Sequence, residues 1–123
     1  MFKTAAKYAL VIGVSSYGPG HQLQNCVRDA QNMGQMLIDK AQFADDNVHI
    51  LPDPELADIA REVLWLQHSA SAQGLGLFYY AGHAVMYRAQ HRMLDTHYSG
   101  YEYQIVSSGY AIEEVIRVLE MFH

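Results

Sequence analysis

Tyr8-Ala9-Leu10-Val11-Ile12-Gly13-Val14 form an almost unbroken apolar run closed by Ser15-Ser16. Such a run predicts a strand buried on both faces, as in a parallel sheet. Gly18-Pro19-Gly20 marks a loop. A helix is predicted from Asn25, which is suited to N-capping, with Val27, Ala30, Met33, Met36 and Leu37 as its core-facing stripe. Asn47 to Leu51 predicts a short strand closed by Pro52 and Pro54. Pro54 to His68 predicts a second helix with Ile59, Val63, Leu64 and Leu66 as its apolar set, ended by Gln73-Gly74. Leu75 to Tyr80 reads as a third strand, apolar throughout, followed directly by Ala81-Gly82-His83-Ala84. Met93-Leu94 and Tyr101 to Val106 read as short strands in a stretch with little periodicity. Ala111 to Phe122 predicts a closing helix with Ile112, Val115, Ile116 and Leu119 on one face and Glu113, Glu114, Arg117 and Glu120 on the other.

Strand and helix thus alternate, which predicts an α/β fold with right-handed crossovers and a mostly parallel sheet. Ligands in such sheets sit beyond the carboxyl ends of the strands. Here that edge receives the loop after Val14, the loop after Leu51 and the turn at Gly82-His83. With 123 residues, half of them hydrophobic, the chain suffices for one domain with one core. No repeat, low-complexity segment or linker divides it.

A net charge of −5 argues against a nucleic-acid partner. No apolar run reaches the roughly 18–20 residues needed to cross a bilayer. The opening Met1-Phe2-Lys3-Thr4 lacks the long apolar stretch of a secretory signal, so a cytoplasmic location is expected. Cys26 is the only cysteine, which excludes an internal disulfide and a cysteine-based zinc cluster. No cofactor and no metal is expected.

The loop Gly13 to Gly20 falls short of a phosphate-binding loop. That motif needs Lys and Ser or Thr after its second Gly, and Pro19-Gly20 stand there instead. His83 carries a sharper signal. It follows a buried strand and has small neighbours, which leave an imidazole room to act as a general base. An ordinary histidine in a βα turn is the bland alternative.

Three segments together resemble the caspase and metacaspase family of cysteine peptidases. They are Lys7-Tyr-Ala-Leu-Val-Ile-Gly13-Val, Leu23-Gln-Asn-Cys-Val-Arg-Asp29-Ala-Gln-Asn-Met33 and Leu77-Phe-Tyr-Tyr-Ala-Gly-His83, in the family's order. The resemblance covers about residues 7 to 85, and Tyr110 to Glu120 is similar to the family helix that precedes the nucleophile strand. It implies a three-layer caspase-like sandwich, a single partial domain over residues 1–123, incomplete in its C-terminal half. It implies a Cys–His dyad with His83 as base and Gly82 in the turn beside it. Cys26, Asp29 and Ala81 map to substrate-binding positions, where an acidic Asp29 suits Arg or Lys by a charge-assisted contact. The family's spacing of about 50 residues between histidine and nucleophile points past residue 123, and no Cys follows His83.

Cys26 is the only alternative nucleophile, and its place at a helix start favours a thiolate. A small buried hydrophobe is the commoner fate of a free Cys. Ala84 stands where the family usually has a second Gly, and Ala81 where metacaspases often have Ser. The family's calcium cluster is not expected, because Tyr87, Arg88, His91 and Arg92 fill that stretch and only Asp95 is acidic. His91, His97 and Asp95 read as a solvated polar loop.

Without a fourth strand, Leu75 to Tyr80 is an edge with no charge and no proline. Such an edge invites pairing with a second copy or another chain unless Tyr101–Val106 covers it. Three functions follow as expectations: a cysteine endopeptidase domain acting on peptides and inactive alone, a pseudo-peptidase module that binds a peptide or partner subunit, and a small nucleotide-binding domain.

Overall fold

A computed structural model describes residues 6–71 and 73–122. The opening Met1–Thr4 segment, read for a secretory signal, lies outside them. The elements are β1 (Lys7–Gly13), α1 (Cys26–Asp39), β2 (Val48–Pro52), α2 (Leu56–Ser69), β3 (Leu75–Ala81), β4 (Ala84–Tyr87), β5 (Gln90–Leu94), α3 (Gln104–Ser108), β6 (Gly109–Ala111) and α4 (Ile112–Leu119). None of these helices is long and apolar enough to cross a membrane.

β1 is the middle strand of a parallel sheet ordered β2-β1-β3. Its side chains alternate between two cores. Ala9 and Val11 pack with Ala30 and Leu37 of α1, together with Phe43 and Val48. Leu10 and Ile12 face Ile59, Val63 and Leu66 of α2 and Val115 and Val118 of α4. Leu10 and Ile12 are fully buried, each contributing about 1.5–3 kcal/mol of apolar burial. Helix, sheet and helices make the three layers expected of a caspase-like α/β fold.

A second sheet, antiparallel in the order β4-β5-β6, follows the first. Its Met93 and Leu94 join the α2–α4 core. β4 and β5 form a hairpin whose two turn residues, Arg88 and Ala89, both have positive φ, at 50° and 65°. That is the turn geometry matched to strand twist, reached here without Gly or Asn.

Several expectations are corrected. Tyr101–Val106 is not a strand: the segment enters α3, because the Gln104 side chain accepts the Ser99 and Tyr101 amides and folds it back. It therefore does not cover β3, whose outer edge has no paired strand among the described residues. Met36, Leu64 and Ile116 are 43%, 50% and 49% exposed and leave the predicted stripes. Gly34 takes the buried position on α1 because the Ile50 side chain fills the space a Cβ would need. Helix α2 starts at Leu56, after a capping box between Glu55 and Asp58.

Candidate active site

The site gathers at the carboxyl ends of β1 and β3, the edge where α/β sheets bind ligands. Gly13 ends β1 for a steric reason. A Cβ there would lie 2.3 Å from the Cys26 carbonyl oxygen and 2.8 Å from the Ala30 Cβ. Only glycine lets α1 begin this close to the strand. The glycine in the discarded phosphate-loop pattern thus serves helix packing.

The loop after Val14 is held from outside itself. The Asp53 carboxylate, in the loop after β2, accepts the Ser15 and Ser16 amides at 2.8 and 3.0 Å. Asp53 itself has φ 47° and donates its own amide to the Gly13 carbonyl. No spacing rule in the sequence signals Asp53, whose contacts depend on two loops meeting. The Ser15 hydroxyl accepts the Val27 amide at 3.1 Å and so caps α1. Asn25 does not cap as expected. It adopts a left-handed conformation at φ 73°, and its side-chain oxygen accepts from the Arg28 guanidinium at 2.6 Å.

His83 lies in the two-residue link between β3 and β4 and is half-buried. Its Nε2 lies 2.7 Å from the His21 carbonyl oxygen. A carbonyl only accepts, so Nε2 carries the proton and the neutral ring keeps Nδ1 as its basic nitrogen. The ring packs on Tyr17 at a centroid distance of 4.5 Å, with His21 and Tyr98 edge-on at 6.4 Å. Its main chain is fixed on both sides. The His83 amide donates to the Tyr17 hydroxyl at 2.9 Å, and its carbonyl accepts from Tyr80 at 2.7 Å and from the Leu94 amide at 3.0 Å. Gly82 has no room for a side chain: a Cβ would meet the Tyr80 and Tyr17 hydroxyls at 2.5 and 2.7 Å.

Cys26 opens α1 and is half-buried. Burial, then the Asp29 carboxylate, push its thiol above the ordinary value, against a lowering contribution from Ser15. Desolvation and a like-signed neighbour disfavour the thiolate expected from the helix start. Among the described residues Cys26 makes no hydrogen bond to His83. Asp29 lies in the first turn of α1, exposed to solvent. Ala81 pairs with Gly13 in the sheet, and its carbonyl accepts the Val14 amide at 2.8 Å.

The polar residues after His83 disperse. His91 pairs with Glu113 at 3.0 Å and His97 with Glu55 at 3.4 Å. Asp95 is not in a solvated loop: it is 1% exposed and accepts the Leu56 and His97 amides. Among the described residues no three His, Cys, Asp or Glu side chains form a metal-ligating group.

The family described as Caspase domain, a peptidase family, matches residues 6–122. The chain belongs to the caspase-domain family. The match runs through the second sheet and α4 and so reaches past the motifs that end at Gly82-His83. Metacaspase-1 of Coccidioides immitis is 32% identical over 88 residues, which cover 65% of this chain and 19% of that protein. Metacaspase-1 of Emericella nidulans is 32% identical over 88 residues, covering 65% of this chain and 22% of the relative. For metacaspase-1 of Ajellomyces capsulatus the figures are 32%, 88 residues, 65% and 25%. This caspase domain therefore spans about a fifth to a quarter of the length of the curated relatives it matches.

Proposed function

We propose that the chain supplies the histidine half of a caspase-like cysteine endopeptidase site acting on peptide bonds. The observation that carries this reading is the His83 Nε2–His21 carbonyl contact at 2.7 Å, which leaves Nδ1 to take a proton from a thiol. Cys26 and Asp29 are read as pocket residues. The exposed Asp29 carboxylate favours a substrate side chain ending in a guanidinium or ammonium group. The raised Cys26 thiol argues against its use as the nucleophile. On this reading the 123 residues by themselves bind a basic peptide and do not cleave it.

A second reading, a non-catalytic module that pairs with a peptide or partner subunit, is favoured by the open edge of β3. Treating the purified chain with a peptidyl-Arg electrophile and mapping adducts separates these functions. The expected result is no adduct at Cys26, with saturable binding of the Arg peptide that weakens on Asp29→Asn. Binding that ignores the Asp29 charge favours the module. A Cys26 adduct that vanishes on His83→Ala would overturn the assignment and make Cys26 the nucleophile.

A further inference from the structure

Two phenol hydroxyls meet behind His83. Tyr17 comes from the loop after β1, is 5% exposed, and stands 63 residues before Tyr80, the penultimate residue of β3. Their oxygens are 3.1 Å apart. Around them converge one amide donor and two carbonyl acceptors. Tyr17 receives the His83 N–H at 2.9 Å and reaches the Leu94 carbonyl at 3.0 Å. Tyr80 reaches the His83 carbonyl at 2.7 Å and the Leu94 carbonyl at 2.9 Å.

The two hydroxyl protons suffice for both carbonyls. Tyr80 donates to His83, Tyr17 donates to Leu94, and the Tyr17 oxygen still accepts the His83 amide. Burial raises both phenols above their ordinary value, so both protons stay in place at neutral pH. The pair therefore grips the peptide groups on both sides of one residue, and that residue is the histidine. It also ties the loop after β1, the end of β3 and the end of β5 to the same point. Gly82 is part of the device, since any side chain there would occupy the space of the two hydroxyls.

We propose that Tyr17 and Tyr80 are positioning residues for His83: their hydroxyl pair fixes its main chain so that the imidazole points Nε2 at His21 and leaves Nδ1 free. This rests on the reading of His83 as the base. A packing role alone would need two aromatic rings and would not need their hydroxyls. Phenylalanine at either position keeps the ring and removes only the contact, leaving the His83 amide or carbonyl one partner short.

The test is imidazole nitrogen NMR on the whole 123-residue chain, with amide exchange at His83 and melting followed alongside. Wild type, Tyr17→Phe, Tyr80→Phe and the double variant are compared, with Tyr8→Phe as a hydroxyl removed from a half-buried tyrosine elsewhere. In wild type the neutral His83 ring is expected as the Nε2–H tautomer. Each single variant should lower that tautomer's excess about threefold to tenfold, the loss of one hydrogen bond. Tyr17→Phe should in addition speed His83 amide exchange by about tenfold. Tyr8→Phe should change neither. If both single variants melt lower yet leave the tautomer and the amide protection unchanged, the pair is packing only and the proposal is overturned. A wild-type ring in the other tautomer would instead overturn the reading of Nδ1 as the base, whatever the variants do. If the double variant fails to fold, the two single variants decide.

Discussion

The Asp95 carboxylate accepts the Leu56 amide at 2.6 Å across 39 residues of sequence. It thereby closes the first turn of α2 from the far end of β5. Its other oxygen accepts the His97 amide at 2.9 Å. Alanine at Asp95 leaves both part-buried donors without this partner, and the expected loss is about 1 kcal/mol in urea unfolding. Asparagine keeps one acceptor and should cost less than alanine.

The same carboxylate gives a pH dependence with a definite sign. Burial outweighs the two amide donors and holds Asp95 above its ordinary value of 3.8. The folded protein thus keeps this proton to higher pH than the unfolded chain does. Asp95's contribution to stability is therefore greatest below 3.8 and falls as pH rises from there through the folded value. The stability advantage of wild type over Asp95→Asn should shrink across that window. An advantage that grows with pH would mean that the amides dominate.

Gly13 and Gly20 separate steric need from backbone need. Gly13→Ala places a methyl against the main chain of α1 and should cost about 3 kcal/mol, the upper end of ordinary overpacking. Gly20 has φ 82° and nothing within 4 Å of a Cβ, so Gly20→Ala should cost only about 1 kcal/mol of left-handed strain. Equal losses on chemical denaturation would contradict the close approach of α1 to β1.

Alkylation of Cys26 by iodoacetamide should be slow at neutral pH, because burial and Asp29 disfavour the thiolate. Removing the charge by Asp29→Asn should speed it by roughly twofold, the scale of one exposed charge interaction. A rate already at its plateau at neutral pH would indicate an activated thiolate and reopen Cys26 as nucleophile.

β3 presents Leu75, 48% exposed, at the start of an edge with no paired strand among the described residues and no charge along its length. The 123-residue chain is proposed to self-associate through this edge. Leu75→Lys should shift sedimentation toward the monomer while leaving far-ultraviolet dichroism unchanged, since a lysine on an edge opposes strand addition. A wild-type monomer with slow amide exchange along Leu75–Tyr80 would remove the basis for edge pairing.

The elements that were legible in the sequence are those with strong periodicity. The runs at Tyr8–Val14 and Leu75–Tyr80 are β1 and β3, and α1 and α2 start within two residues of expectation. The hairpin of β4 and β5 was not legible because Arg88 and Ala89 turn without the residues that usually signal a turn. Tyr101–Val106 has strand-like composition, but the Gln104 side chain accepts the Ser99 and Tyr101 amides and folds the segment into a helix. His83 stood out by its place after a strand. Its partner, the His21 carbonyl, did not, because main-chain atoms are present at every position and only the path of the loop selects one. Asp53 and the Tyr17–Tyr80 contact were hidden for the same reason: each joins segments that meet only after folding.

The central position of β1 also sets a timetable. Its partner on one side, β2, follows early, but the other side waits for β3, and Tyr17 waits for Tyr80, 63 residues later. At about 5–20 residues per second that interval is roughly 3–13 s of synthesis. Throughout it, one edge of the most deeply buried strand stands open on the ribosome. The nascent protein is thus most exposed to wrong partners just before the strand that leads into His83 has been made.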